Sequence, residues 1–279
     1  MDESVSSYES IDFDDIEVED YRTDEHRKIL FALRTNNMRR LDICPYNPSP
    51  SVTDWRNLGQ AIGINTSLEC IVLCPDGLDD EDDIATTDNL EAFVRGFAQN
   101  RSLKELIVEQ YDFSRASLEL IHPFIIENDN LKKLDLLDCG FGQHDLQLLA
   151  SAFSRRRDPT SIRSLGIGGS NMDDESVPII VEICGYCPRL QRLDLTYCRQ
   201  TVRIQGWTHL ATFLQDPKCS IKRLELAEVN DEGARVLASS LGNNKKLRTL
   251  RILLNSYSSI LNITPTYIIK NRNNKSLKQ

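Results

Sequence analysis

The chain has 279 residues, 40% of them apolar and 7% aromatic, with a formal charge of −9. No apolar stretch approaches the roughly 20 residues of a membrane span, the acidic start lacks the basic-then-apolar order of a signal peptide, and the acidic balance argues against nucleic acid as a partner. The expectation is a cytoplasmic or nuclear protein without membrane contact, whose eight scattered cysteines are reduced thiols.

Residues 1–22 hold nine acids and one base, so everything after them nets only −1. They carry serines and no hydrophobic periodicity, and an acidic disordered tail is expected there. Residues 23–279 read as one repeat domain. It opens on Thr23-Asp-Glu-His-Arg-Lys-Ile-Leu-Phe-Ala-Leu33, the pattern of a capping helix over 23–35. From Met38 onward an apolar triplet with the spacing i, i+3, i+5 recurs eight times: Met38/Leu41/Ile43, Leu68/Ile71/Leu73, Leu103/Leu106/Val108, Leu131/Leu134/Leu136, Ile162/Leu165/Ile167, Leu190/Leu193/Leu195, Ile221/Leu224/Leu226 and Leu247/Leu250/Ile252. The intervals run from 26 to 35 residues, a period that marks a solenoid.

The second and third residues of each triplet lie two apart, as on one face of a strand. The later part of the unit changes to helical spacing, clearest in Leu90–Phe97, Leu146–Phe153, Val177–Ile183, Trp207–Leu214 and Asp231–Leu241, where Asp231 can cap the first turn. Asn65, Asn100, Asn128, Asn244 and Asn274 each precede a first apolar position by three residues; asparagine tolerates the left-handed conformation that ends helices, so these positions are expected to turn the chain from helix to strand. The 35-residue interval between Leu68 and Leu103 contains Asp76-Gly-Leu-Asp-Asp-Glu-Asp-Asp83, expected as a solvated surface loop. Near the end, Thr264-Pro265 can start a helix, and Asn274-Lys-Ser-Leu277 begins a ninth unit cut off at 277. The chain is expected to be monomeric unless that uncapped edge pairs.

Strand–helix units repeated in one direction place their strands parallel and adjacent. Helices are wider than the roughly 4.8 Å between strands, so the array bends with the strands inside. The fold class is α/β: a horseshoe solenoid with a parallel β-sheet on the concave face and helices on the convex face. Leu131-Lys-Lys-Leu-Asp-Leu-Leu-Asp-Cys139-Gly-Phe141 and Leu190-Gln-Arg-Leu-Asp-Leu-Thr-Tyr-Cys198 carry a family resemblance. Over residues 38–277 the chain resembles the leucine-rich repeats of the ribonuclease-inhibitor type. The resemblance implies that Cys139, Cys198 and Asn255 satisfy backbone groups in the turn after the strand.

A catalytic constellation is harder to find. His26, His122, His144 and His209 fall in helical segments with no nucleophile held beside them. Cys184-Gly-Tyr-Cys187 lacks a second ligand pair for zinc and reads as packing. Gly166-Ile-Gly-Gly-Ser170 lacks the remainder of a phosphate loop and leaves a bare stretch of strand. The acidic run at 76–83 does not follow an EF-hand pattern. No catalytic residue, cofactor or metal is therefore expected, and the protein is not expected to be an enzyme.

The concave face is the expected site. Outward positions form columns, one reading Asp42, Val72, Ile107, Asp135, Gly166, Asp194, Glu225, Arg251 and its neighbour Arg40, Cys70, Glu105, Lys133, Ser164, Arg192, Arg223, Thr249. Asp135, Asp194, Tyr197 and Glu225 are candidates to receive a basic protein partner, together with Arg192, Glu105 and Glu109; Val72 and Ile107 form an apolar patch beside them. The competing reading is that Arg40/Asp42, Lys133/Asp135, Arg192/Asp194 and Arg223/Glu225 neutralise each other in exposed pairs of little energetic consequence. The expected function is a non-enzymatic protein–protein interaction module. The resemblance implies two alternatives, a regulator of a small GTPase or a ribonuclease inhibitor.

Overall fold

The computed structural model describes residues 18–43, 51–74, 87–111, 115–169, 173–196, 202–227, 229–242, 244–253 and 266–270. Residues 1–17, the acidic run 76–83, Tyr197, Cys198, Asn255 and the expected ninth unit at 274–277 lie outside them. Helix α1 (Val18–Arg34) comes first. Seven strand–helix units follow: β1 (Arg40–Ile43) with α2 (Val52–Ile64), β2 (Cys70–Leu73) with α3 (Thr87–Phe97), β3 (Glu105–Glu109) with α4 (Arg115–Glu127), β4 (Lys133–Leu137) with α5 (Gln143–Ser154), β5 (Ser164–Gly166) with α6 (Ser176–Gly185), β6 (Arg192–Leu195) with α7 (Ile204–Gln215), and β7 (Arg223–Ala227) with α8 (Asp231–Leu241). Strands β8 (Thr249–Leu253) and β9 (Thr266–Lys270) complete the order.

All the strands form one sheet in sequence order, and β1 to β8 are parallel. The chain is thus an α/β leucine-rich-repeat solenoid. The register aligns Leu41, Ile71, Leu106, Leu134, Leu165, Leu193, Leu224 and Leu250 across successive strands, and all eight are buried. Each such side chain removes about 1.5–3 kcal/mol worth of apolar surface from water, so a one-residue slip in any unit would be opposed by its neighbours.

Three local features differ from the sequence reading. Helix α1 starts at Val18 instead of Thr23. After Thr264-Pro265, residues 266–270 form a strand antiparallel to β8 where a helix was expected. Thr266-Tyr-Ile-Ile269 is β-branched and aromatic, the composition of a strand, and β9 occupies the edge that the parallel array would leave open. Asn230, not Asp231, caps α8, accepting from Gly233 N at 2.7 Å.

The asparagine positions act through their side chains. Asn65 has φ −72°, ψ 139°, and none of Asn65, Asn100, Asn128 and Asn244 has a positive φ, so the expected left-handed turn is not used. Each carboxamide is buried. Asn100 accepts from Ser102 N (2.8 Å) and Leu103 N (2.9 Å) and donates to Ile62 O (2.6 Å) and Asn65 O (2.8 Å) of the preceding unit. Asn65, Asn128 and Asn244 repeat the same logic, each donating to a carbonyl one unit back. The asparagines form a ladder stitching repeat to repeat.

The unit entering β5 has no such asparagine. Arg156 takes its place, buried, with its guanidinium donating to Ile125 O, to Asn128 O at 3.0 Å and to Ser161 Oγ at 2.6 Å. Burial lowers its pKa from the usual arginine value. The charge sits at the C-terminal end of α4, where the helix dipole favours a cation.

Aromatic residues, sparse in composition, are concentrated under α2, α3 and α4. Trp55, Phe93, Phe97 and Phe124 form a chain of ring contacts at 5.3, 5.0 and 5.5 Å. Helices α2 and α3 meet backbone to backbone at Gly59, Gly63 and Gly96, where a Cβ would overlap the facing chain. Gly96→Ala should therefore cost about 1–3 kcal/mol through overpacking, read as a lower urea midpoint. Gly185→Ala, with nothing within 4 Å of the added carbon, is the matched control and should leave that midpoint in place.

Candidate functional site

The observed register reproduces the two outward columns: Arg40, Cys70, Glu105, Lys133, Ser164, Arg192, Arg223 and Thr249 are paired in succession, and so are Asp42, Val72, Ile107, Asp135, Gly166, Asp194, Glu225 and Arg251. Parallel strands repeat side chains at a spacing of about 4.8 Å, close enough for a long side chain to reach the next strand or the one after.

Arg192 on β6 uses that reach. Its Nη1 donates to Asp135 Oδ2 on β4 at 3.0 Å, and its Nη2 donates to Asp194 Oδ2 at 2.6 Å on its own strand and to Glu225 Oε2 on β7 at 3.3 Å. Lys133 reaches Asp135 Oδ2 at 3.3 Å, and Arg223 donates through Nε to Glu225 Oε1. Asp194 also accepts from Thr196 N (3.0 Å) and Oγ1 (2.6 Å). The bridge to Asp135 crosses β5, and Gly166 allows it: a Cβ there would lie 2.8 Å from Asp135 Oδ1. The glycine run is therefore no gap for a partner's side chain, since Gly166 and Gly168 are buried under Asp135, Leu137 and the Thr196 backbone.

Burial decides what the face presents. Asp135 and Asp194 are 2% exposed and Glu225 3%, whereas the side chains of Lys133, Arg192 and Arg223 are 29%, 26% and 49% exposed. The three carboxylates lie beneath the cations, out of reach of a basic partner, contrary to the sequence expectation. Nor are these pairs exposed and inconsequential; only Arg40–Asp42, at 2.9 Å, is of that kind. Burial raises the Asp194 pKa against the pull of Thr196 and Arg192. Burial also pushes Glu225 up, but the Arg192 charge and the hydrogen bonds donated by Arg192 and Arg223 bring it below its ordinary value.

Towards the N-terminal end the face is different. Cys70 donates weakly to Glu105 Oε2 at 3.9 Å and Cys74 to Glu109 Oε2 at 3.8 Å. Val72 is half-buried and Ile107 buried, so the apolar patch is narrower than the sequence implied. Cys139 is buried in the turn after β4, its thiol 3.4 Å from Leu137 O and 3.6 Å from Val108 O.

Cys184 and Cys187 lie in the core, one at the end of α6 and the other just beyond it. Burial holds the Cys184 thiol well above its usual range and pushes Cys187 up to about 12. At pH 8 the latter is roughly one part in ten thousand thiolate. Iodoacetamide should leave both unmodified in the folded protein and label them on unfolding; peptide mapping that finds either labelled at a free-thiol rate would contradict this packing. Among the described residues, no group of three or more His, Cys, Asp and Glu is placed to hold a metal.

The fold and this face together define a leucine-rich-repeat solenoid whose concave sheet carries a cross-strand arginine–carboxylate network. No protein-family model matches the chain, and no curated protein matches its sequence. Among solved structures it is similar to the actin-binding site 2 of leiomodin-1, at 13% identity over 58% of this chain and 87% of that one, with a TM-score of 0.41. It is also similar to the tropomodulin C-terminal domain of Caenorhabditis elegans, at 10% identity over 79% of this chain and 93% of that one, with a TM-score of 0.33. The fold assignment rests on sheet order and register, not on these similarities.

Proposed function

We propose that the protein is a non-enzymatic, protein-binding repeat module that engages its partner on the concave face between β4 and β7. The observation that supports this reading is the arrangement of Lys133, Arg192 and Arg223: buried carboxylates fix them from below and their outer edges face solvent. Cations held in place this way lose little entropy on binding, which is how preorganisation raises affinity. The fitting contact is an acidic or carbonyl-rich segment of a protein, and not the basic partner expected from the columns alone. A ribonuclease-inhibitor type of repeat is supported by the full helix of ten to thirteen residues in every unit from α2 to α8. Among the described residues Cys70, Cys74, Cys139, Cys184, Cys187 and Cys219 form no disulfide, which suits a cytoplasmic or nuclear setting.

The test is quantitative affinity capture with the full chain, the variant Lys133→Gln/Arg223→Gln, and the convex-face control Arg235→Gln. Recovery of bound proteins should fall about tenfold for the double variant, since each exposed charge contact contributes on the order of 0.2–1 kcal/mol, and should hold for the control. Equal recovery by all three proteins would remove the concave face from consideration.

A further inference from the structure

The convex side near the N-terminus carries a surface that the concave reading does not use. On the outer side of the α2–α3 seam, where Gly63 and Gly96 meet backbone to backbone, lies a trough of about 800 Å³. Its rim brings together Arg34 from the end of α1, Arg56 from α2 and Arg95 from α3, with Ile64 and Val52 between them. Ile64 is 72% exposed, one of the most exposed large apolar side chains among the described residues. All three arginines are exposed, and no carboxylate of a described residue pairs with them. Glu91 is the one acid in the lining, so three cations face one anion. Unpaired arginines around apolar surface suit a segment that alternates carboxylates with aliphatic or aromatic side chains.

The chain contains such a segment directly before α1. Glu9-Ser-Ile-Asp-Phe-Asp-Asp-Ile-Glu17 sets Ile11, Phe13 and Ile16 among five acids, and residues 1–17 contain no lysine or arginine. From Val18 to Arg34 helix α1 rises about 24 Å, and residues 9–17, extended over about 30 Å, are long enough to turn back at Val18 and themselves lie along that length. A short tether supplies an effective concentration on the order of millimolar, which offsets the weakness of single exposed ion pairs.

We propose that the α2–α3 trough is a docking site for residues 9–17 of the same chain, with carboxylates on Arg34, Arg56 and Arg95 and apolar side chains against Ile64, Val52 and the glycine floor. The test uses the full chain with the charge-preserving changes Arg56→Lys and Arg95→Lys, treated with a water-soluble carbodiimide, which joins a carboxylate to an amine in contact with it. Peptide mapping should find residues 9–17 linked to positions 56 and 95 about tenfold more than to Lys104, Lys133 or Lys222. That yield should fall at least fivefold when Ile64→Ser is added and again in 0.5 M salt. Links spread evenly over the lysines, or concentrated at Lys133, would overturn the proposal. So would links formed between isotopically distinct copies in a mixed sample, which would make the occupant a second molecule.

Discussion

Arg192→Met should destabilise the protein by about 3–5 kcal/mol, the cost of leaving buried charge without its partner. The methionine keeps the apolar stem but leaves buried Asp194 with no cation and takes one of two cations from each of Asp135 and Glu225, with Asp194 and Glu225 directly paired across β6 and β7. Urea denaturation at pH 7 should show the loss as a lower midpoint at unchanged slope. Burial already raises the Asp194 pKa, and without the opposing Arg192 charge it rises further above its unfolded value. A folded state that binds more protons than the unfolded one gains stability as pH falls. The gap between variant and parent should accordingly narrow from pH 7 towards pH 4. Arg192→Lys should recover only part of the loss, because an ammonium cannot fork towards three acceptors as a guanidinium does. A full-sized effect that is flat with pH would show that packing, not charge, is what the arginine contributes.

Asn100→Ala should cost about 3 kcal/mol or more, because it leaves up to four backbone groups of two adjacent units without their partner. The side chain is fully buried and makes bonds to Ile62, Asn65, Ser102 and Leu103. Asn100→Asp should be no milder, since a carboxylate cannot donate to the carbonyls of Ile62 and Asn65. Asn130→Ala is the contrast: its exposed side chain makes one bond, to Arg101 O at 2.8 Å, and its loss should stay within about 0.5–1.5 kcal/mol. In a solenoid each unit touches only its neighbours. Hydrogen exchange in Asn100→Ala should therefore accelerate first around β2 and β3, and uniform acceleration along the chain would contradict the ladder.

Much of this architecture is legible in the residue order. The leucine triplets place each of β1 to β8, and the helical spacing in the later part of a unit places α3, α5, α6, α7 and α8. The asparagines were visible as a repeated position, but their mechanism was not. A residue type that tolerates a left-handed turn is also one with a donor and an acceptor, and only the depth of burial selects between those uses. Arg156 was hidden inside Arg155-Arg156-Arg157, which reads as solvated surface. Its signal was indirect and not unique: the unit entering β5 lacks the asparagine of those entering β2, β3, β4 and β8, but so do the units entering β6 and β7. The strand at 266–270 was missed because Thr-Pro at a helix start outweighed the β-branched run behind it.

For the candidate site, the columns followed from parallel strands and a period of two, so the sequence by itself determined which side chains share the concave face. It also determined the core, because leucines at i, i+3 and i+5 can bury together in only one register. The sign of the surface was decided by tertiary structure. The charged residues of one column are mostly acids and those of its neighbour mostly bases, but a short aspartate or glutamate stays close to the sheet while a long arginine lies over it and over the glycine of the next strand. Depth depends on side-chain length, on curvature and on what stands two strands away. These are distances between units about 30 residues apart, and no local pattern contains them.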